Sequence, residues 1–295
     1  MKIVLKLILL SGICILATSG KVYAAPASVN LSLCANSGVV HGSSESYAGD
    51  TRKITINLYN SNVQIEGVKN LAHIRYVLVG CASSHQLLNS LGFYVRRIKF
   101  IHLSYTITMK TIKNLDFSSS INHKNYAYTD LRMQVPESTA VVINSDSGNI
   151  AANNLSNLSV KSGSGNITVS HIQRLFIAST GSGNIYAQDL GRVKLGNVES
   201  GSVKILNVSG NIKAKSLGSG IVNIQAVQGN VVIKSLGTGG VKITQVGGNL
   251  TVHKTGTGSL LVNTIGGDFT VKHNGGSKIG YANIKGAVSV PQSQG

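Results

Sequence analysis

Cleaving a glycan takes two carboxylates held across one bond, and calcium-assisted cleavage takes a cluster of them. The chain has ten carboxylates in 295 residues, and four of them, Asp146, Asp189, Glu199 and Asp268, fall in its long repetitive part. Only Asp189 and Glu199 lie near each other, and they occupy different positions of successive repeats. Gly266-Gly267-Asp268 matches the start of a calcium-binding G-G-x-G-x-D phrase once, with no series behind it. His253 and His273 stand 20 residues apart on neighbouring repeats. With a third ligand they could hold zinc, but stacked, exposed imidazoles need no metal. The residues therefore point to no catalytic, cofactor-binding or metal site and to a protein that is not an enzyme. A polysaccharide-active β-helix enzyme is the third reading.

Lysines recur with more regularity. Lys215, Lys234 and Lys254 close the second half of three successive repeats, and Lys161 holds the equivalent place earlier. Pointing outward from stacked strands, they stand at roughly 5 Å intervals and repel one another. A bound polyanion relieves that repulsion; strand lysines also block unwanted pairing and keep a glycine-rich surface soluble. These four are the candidate anion-binding residues. The chain's net charge of +17 falls to +14 when Lys2, Lys6 and Lys21 leave with the leader described below, 24 basic residues against 10 acidic. That balance attracts acidic partners such as lipopolysaccharide, anionic glycan or nucleic acid. The repeats offer no row of aromatic platforms on which bases stack, which argues against specific nucleic-acid binding.

The element that positions these side chains is a repeat running from Ser145 to Val290. Eight near-copies of one phrase open with Ser145–Ile150, Ser162–Ile167 and Thr180–Ile185 and loosen to Leu217–Gly220 and Thr255–Gly258. The glycine of the turn falls at Gly148, Gly165, Gly183, Gly201, Gly220, Gly239 and Gly258, with Ser277 in the eighth slot, in steps of 17 to 19 residues. A second column, Leu155, Ile172, Leu190, Val208, Val227, Val246, Ile265 and Ile284, keeps the same steps. Between them, apolar residues alternate with polar ones. The first half carries pairs such as Ile167/Val169 and Val203/Ile205, the second half pairs such as Leu175/Ile177, Ile212/Ala214 and Val231/Ile233. Period two with β-branched residues marks a strand with one buried face. Strands this short bury that face only by stacking, so the copies form a parallel β-solenoid. Eight coils at about 4.8 Å each make it roughly 38 Å long. Two expectations accompany this. The corner glycines supply left-handed backbone. The recurrent Asn149, Asn166, Asn184 and Asn211, Asn230, Asn249, Asp268 form amide ladders, whose members also tolerate left-handed φ.

Upstream the chain is less regular. Lys2 and Lys6, an apolar run from Ile8 to Ala17 and Val22-Tyr23-Ala24 read as a secretory signal peptide over 1–24, too short to span a bilayer. Ile13 before Cys14 stands where a lipoprotein signal wants a small residue, and nothing later is apolar enough for a membrane helix, so the expectation is export without an anchor. In an oxidising compartment Cys34 and Cys81 form a disulfide more readily than a free or metal-binding pair, since no C-x-x-C spacing exists. Residues 25–140 read as a β-rich capping region. In it Asn62-Val63-Gln64-Ile65 resembles a worn repeat opening, Ser84 to Leu91 a short helix capped by Ser84 and stopped by Gly92, and Tyr94 to Met109 a strand over the open end of the stack. The solenoid proper then covers 141–290 and a polar tail 291–295.

The run Asp130-Leu131-Arg132-Met133-Gln134-Val135-Pro136, leading into serial S-G-S-G-N-I phrases, resembles the bacterial putative-adhesin domains, the auto-transporter adhesin head or GIN-type group. The resemblance covers about Ile54 to Val290. It implies an exported parallel β-solenoid with an adhesion-type role and brings no catalytic residues with it. The sequence departs from that group in its basic charge, its cysteine pair and the irregular stretch from Cys81 to Thr111. The combined reading is an all-β, non-enzymatic solenoid acting as an adhesin-like surface or envelope scaffold, placed in the periplasm, on the cell surface or in the medium. Its partner is a host or cell-surface receptor. The alternative is a periplasmic or secreted binder of anionic glycan or lipopolysaccharide through the lysines. No cofactor is called for.

Overall fold

The computed structural model of the chain describes residues 36–45, 51–100, 104–112 and 126–292, with 36, 38–45, 51, 92–100 and 104–112 described by their backbone. The leader 1–24, Cys34 and the end of the tail lie outside the described residues. Alternation of apolar and polar residues produces strands nearly everywhere. They are β1 (Asn36–Glu45), β2 (Thr51–Val68), β3 (Ile74–Ala82), β4 (Gly92–Phe100), β5 (Ser104–Ile112), β6 (Ala127–Pro136) and β7 (Ala140–Ser147). Then come β8 (Ile150–Ser162), β9 (Ile167–Thr180) and β10 (Ile185–Val198), each long enough to make most of a coil. From there each coil uses two short strands: β11 (Val203–Val208) with β12 (Ile212–Leu217), β13 (Val222–Val227) with β14 (Val231–Leu236), β15 (Gly240–Val246) with β16 (Leu250–Thr255), β17 (Ser259–Ile265) with β18 (Phe269–Asn274), and β19 (Lys278–Ile284) with β20 (Val288–Ser289).

Pairing resolves these into two parallel ladders, so each coil is two-sided. The first halves of β8, β9 and β10 continue through β11, β13, β15, β17 and β19. The second halves continue through β12, β14, β16, β18 and β20. Inward residues of the two ladders meet in one continuous core, from Ile54 and Ile65 through Ile205 and Ile224 to Phe269 and Val271. In the second half of β9 the inward apolar residues are Phe176 and Ala178, each at 0 % exposure, and not Leu175 and Ile177. All four are apolar, so alternation leaves the phase open there. Pairing with Leu158 and Val193 sets it and brings the largest ring inside.

The N-terminal part is woven into the stack. β2 is itself a rung of both ladders: Val63–Glu66 pair with Ile150–Asn153, and Lys53–Leu58 pair with Ala140–Ser145. Its opposite edge is covered in parallel by β6 and β5. The chain therefore passes from β6 to β7 over the β2 rung. At the crossing Glu137 donates its N–H to the Val68 carbonyl and accepts from the Ser156 N–H. The outer strands reverse direction: β3 pairs antiparallel with β6 and β1 with β3, while β4 pairs antiparallel with β5. A short helix, α1 (His85–Asn89), follows β3 with Ser84 Oγ accepting the Leu87 N–H at 3.2 Å, as the sequence leads one to expect. Among the described residues no helix is long and apolar enough to cross a membrane.

The corners differ from expectation in their backbone. Among the repeat's corner glycines only Gly148 (φ 105°) and Gly165 (φ 114°) are left-handed, joined by Gly276 (φ 104°) in the last coil. At Gly183 the reason for glycine is proximity, because a Cβ there would overlap the carbonyl oxygen of Gly165 on the coil below. The left-handed residues of the repeat form a separate column of eight: Asn154, His171, Asp189, Asn207, Ala226, Gln245, Thr264 and Asn283, with φ between 54° and 60°. Each precedes a core residue of the Leu155–Ile284 column and turns the chain from the first ladder toward the second. The ladder asparagines keep ordinary φ.

Candidate functional site

Two kinds of polar residue line the solenoid, and they do different work. The corner amides are structural. Asn62 Oδ1 accepts the backbone N–H of Asn149, Asn149 that of Asn166, Asn166 that of Asn184, and Asn184 that of Ser202, at 2.9–3.3 Å. At the other corner Asn211, Asn230, Asn249 and Asp268 do the same for Asn230, Asn249, Asp268 and Ala287, at 2.7–2.9 Å. Carboxylates are drawn into the same bonding. Asp189 Oδ1 accepts from Asn207 Nδ2 at 3.0 Å and its Oδ2 lies 3.6 Å from His171 Nε2, while Asp130 accepts from Asn62 and Glu66 from Gln134. Tyr128, in β6, has its phenol pushed up by burial and then by the nearby Asp130 and Tyr126, away from the solenoid faces. Among the described residues no three of His, Cys, Asp and Glu gather as a metal site.

The outward face of the second ladder is where basic side chains collect. Its first outward column reads Ser159, Ile177, Lys194, Lys213, Val232, Thr251, Thr270 from coil to coil. In the next column Lys215 faces Lys234, held between the pairs Ala214/Ile233 and Ser216/Ser235. Lys234 in turn faces His253, and His253 faces Lys272. A third column runs Asn197, Ser216, Ser235, Lys254, His273. Thus the sequence's lysine row is only partly one row. Lys215 and Lys234 are neighbours, Lys254 lies one column over beside Ser235, and Lys161 stands apart beside Ser179. His273 faces Lys254 and not His253. The cause is a break in alternation: after inward Ala214 two residues, Lys215 and Ser216, both lie outside before Leu217 turns in. A lysine at either place closes a strand in the sequence.

Three residues that the lysine spacing left out, Lys194, Lys213 and Lys272, complete the arrangement. All six lysines are exposed. They form an oblique stripe over five successive rungs, from Lys194 on β10 to Lys272 on β18, roughly 19 Å at strand spacing. The second-ladder segments beneath it, 193–198 of β10 with β12, β14, β16 and β18, carry no acidic residue; Asp189 lies in the first half of β10, and Glu199 and Asp268 sit at flanking corners. By contrast the first ladder turns out Lys204 and Lys242 separated by Asn223, and Lys204 Nζ lies 5.4 Å from the centre of the Tyr186 ring. Signal for the stripe was present in the sequence as the constant 19-residue step from Lys215 through Lys234 and His253 to Lys272. Of the remaining candidate residues, Cys81 is buried on β3 and Cys34 lies outside the described residues.

Among solved structures the chain is similar to a "putative cell adhesion protein" from Clostridium sporogenes ATCC 15579, at 12% identity and a TM-score of 0.30, over 84% of this chain and 98% of that one. It is also similar to a "putative lipid binding protein" from Parabacteroides distasonis ATCC 8503, at 14% identity and a TM-score of 0.41, over 87% and 98% of the two chains. No curated protein matches. The family model Toastrack DUF4097 matches residues 104–284, from β5 to the end of β19 and more than half of the chain, so the chain belongs to the Toastrack DUF4097 family.

Proposed function

We propose that this protein is an exported, non-catalytic binding scaffold of the adhesion type, with the role its likeness to the adhesin-head group suggests. The observation that carries this reading is the division of labour along the coils. Inward positions are filled by the core, and the corner amides together with the carboxylates of Asp189 and Asp268 are engaged in coil-to-coil bonds. Only the outward faces are free to vary, and a rigid face repeated at about 4.8 Å suits recognition of a surface or polymer better than turnover of a small substrate. The leader over 1–24 takes the chain out of the cytoplasm, where Cys34 and Cys81 close a disulfide that ties residues before β1 to β3. Fractionation of cells producing the full chain tests this. Expected are cleavage after Ala24, protein in the periplasm, envelope or medium, and retention of the purified mature protein by envelopes or cell surfaces. Unprocessed protein in the cytoplasm, or release of sugars from a polysaccharide panel, would overturn it.

A further inference from the structure

The lysine stripe has a shape, and the shape selects among acidic partners. It crosses three columns but is only one or two lysines wide at any rung, with Val232, Thr251 and Thr270 on one flank at the rungs where Lys234, Lys254 and Lys272 stand. A flat anionic bilayer is best met by a broad basic face, whereas this strip matches a narrow thread of charge. The face also offers little of what single-stranded nucleic acid uses: the phenylalanines of this ladder, Phe176 and Phe269, are both buried, and the rings left on it are the small imidazoles of half-buried His253 and of His273. Like charges are placed at strand spacing, at an electrostatic cost that a regularly charged chain lying along them would remove. We infer that the stripe formed by Lys194, Lys213, Lys215, Lys234, Lys254 and Lys272 is a binding site for a linear acidic polysaccharide, which lies obliquely across the second ladder along the solenoid axis. Carboxylate or sulfate groups on the polymer accept hydrogen bonds from the ammonium groups. The inference rests on the binding-scaffold reading and adds its ligand class.

The test uses the mature protein with heparin, polygalacturonate and neutral dextran. Vesicles of phosphatidylglycerol with phosphatidylcholine and an oligothymidylate stand as rival partners. One triple variant, Lys215→Gln with Lys234→Gln and Lys272→Gln, removes the spine of the stripe. A second, Lys204→Gln with Lys242→Gln and Lys278→Gln, removes equal charge from the first ladder. The single change Lys161→Gln removes the isolated lysine. Expected is salt-sensitive binding to the two acidic polysaccharides, none to dextran, a loss of about tenfold or more in the first triple variant and a change within about twofold in the other two. Without any variant, bound heparin should shield Lys215, Lys234 and Lys272 from acylation more than Lys204 and Lys242. Equal loss in both triple variants would mean that overall charge is responsible and would overturn the inference. So would tighter binding to the vesicles or the oligonucleotide, or no binding to either acidic polysaccharide. These results leave the fractionation and surface-retention outcome untouched, so the two readings fail separately.

Discussion

At the scale of single residues, each coil holds one position in left-handed backbone without relying on glycine. Asparagine and aspartate suit it, because their short polar side chains bond locally and tolerate positive φ. Thr264, at φ 60°, suits it least, being β-branched and exposed. Replacing Thr264 with Asn, the residue already used at 154, 207 and 283, should stabilise the protein by about 1 kcal/mol, read as a higher urea midpoint. Glycines divide in a different way. Gly183→Ala forces a Cβ into the Gly165 carbonyl, backbone against backbone, and should cost about 3 kcal/mol or more. At Gly240 the same atom meets only Ser259 Oγ at 3.5 Å, so Gly240→Ala should be neutral or slightly stabilising in the same titration. Gly183 belongs to the turn column of the repeat, and Gly240 stands one place past its member Gly239. What separates them is the distance between stacked coils, which no single repeat displays.

At the scale of elements, the hydrogen-bonded amide columns act as seams parallel to the core. Each side-chain oxygen meets a corner N–H that the strand ladders leave over, and the next asparagine repeats the bond one coil further on. Asn230→Ala should therefore cost about 1 kcal/mol, whereas Asn223→Ala, outside any such column, should cost little; thermal midpoints of the two variants compare them directly. Strand identity was legible because the period of two recurs in every coil, and so was the repeat length. Phase was legible only where inside and outside residues differ in polarity. Ile212-Lys213-Ala214 declares its faces; Leu175-Phe176-Ile177-Ala178 does not. The stripe was half legible for a related reason. Two consecutive outward residues at the end of the second-ladder strands from β10 to β18 make adjacent columns look like one, until pairing assigns Lys234 to Lys215 and Lys254 to Ser235.

At the scale of the whole molecule, the repeat folds through partners 17 to 19 residues away, but β2 needs partners much further along the chain. Asn62 bonds Asp130 at a separation of 68 residues, and Asn144 bonds Asn57 at 87. Closing such long loops is slow compared with closing one coil. Refolding should thus show a fast phase from the coils beyond β10 and a slower one from β2, separable by hydrogen exchange during refolding: amides of β13 to β18 should gain protection before those of Val63 and Ile65. Sequence reasoning saw a worn repeat at Asn62–Ile65 because its residues match the phrase. Its place between β6 and β8 was hidden, because that depends on a crossing of three residues, Glu137 to Thr139, with no pattern of its own.

The same arrangement has a mechanical side. Strand β2 is gripped on both edges by strands running parallel to it, so tension along its axis loads the hydrogen bonds of both edges together. The rung of β19 and β20 is paired on one side only among the described residues, and such an edge yields one bond at a time when pulled sideways. A molecule that holds on to a surface under flow would thus resist a pull transmitted through β2 far better than one that peels its far end, and the direction of the load would decide how long the grip lasts.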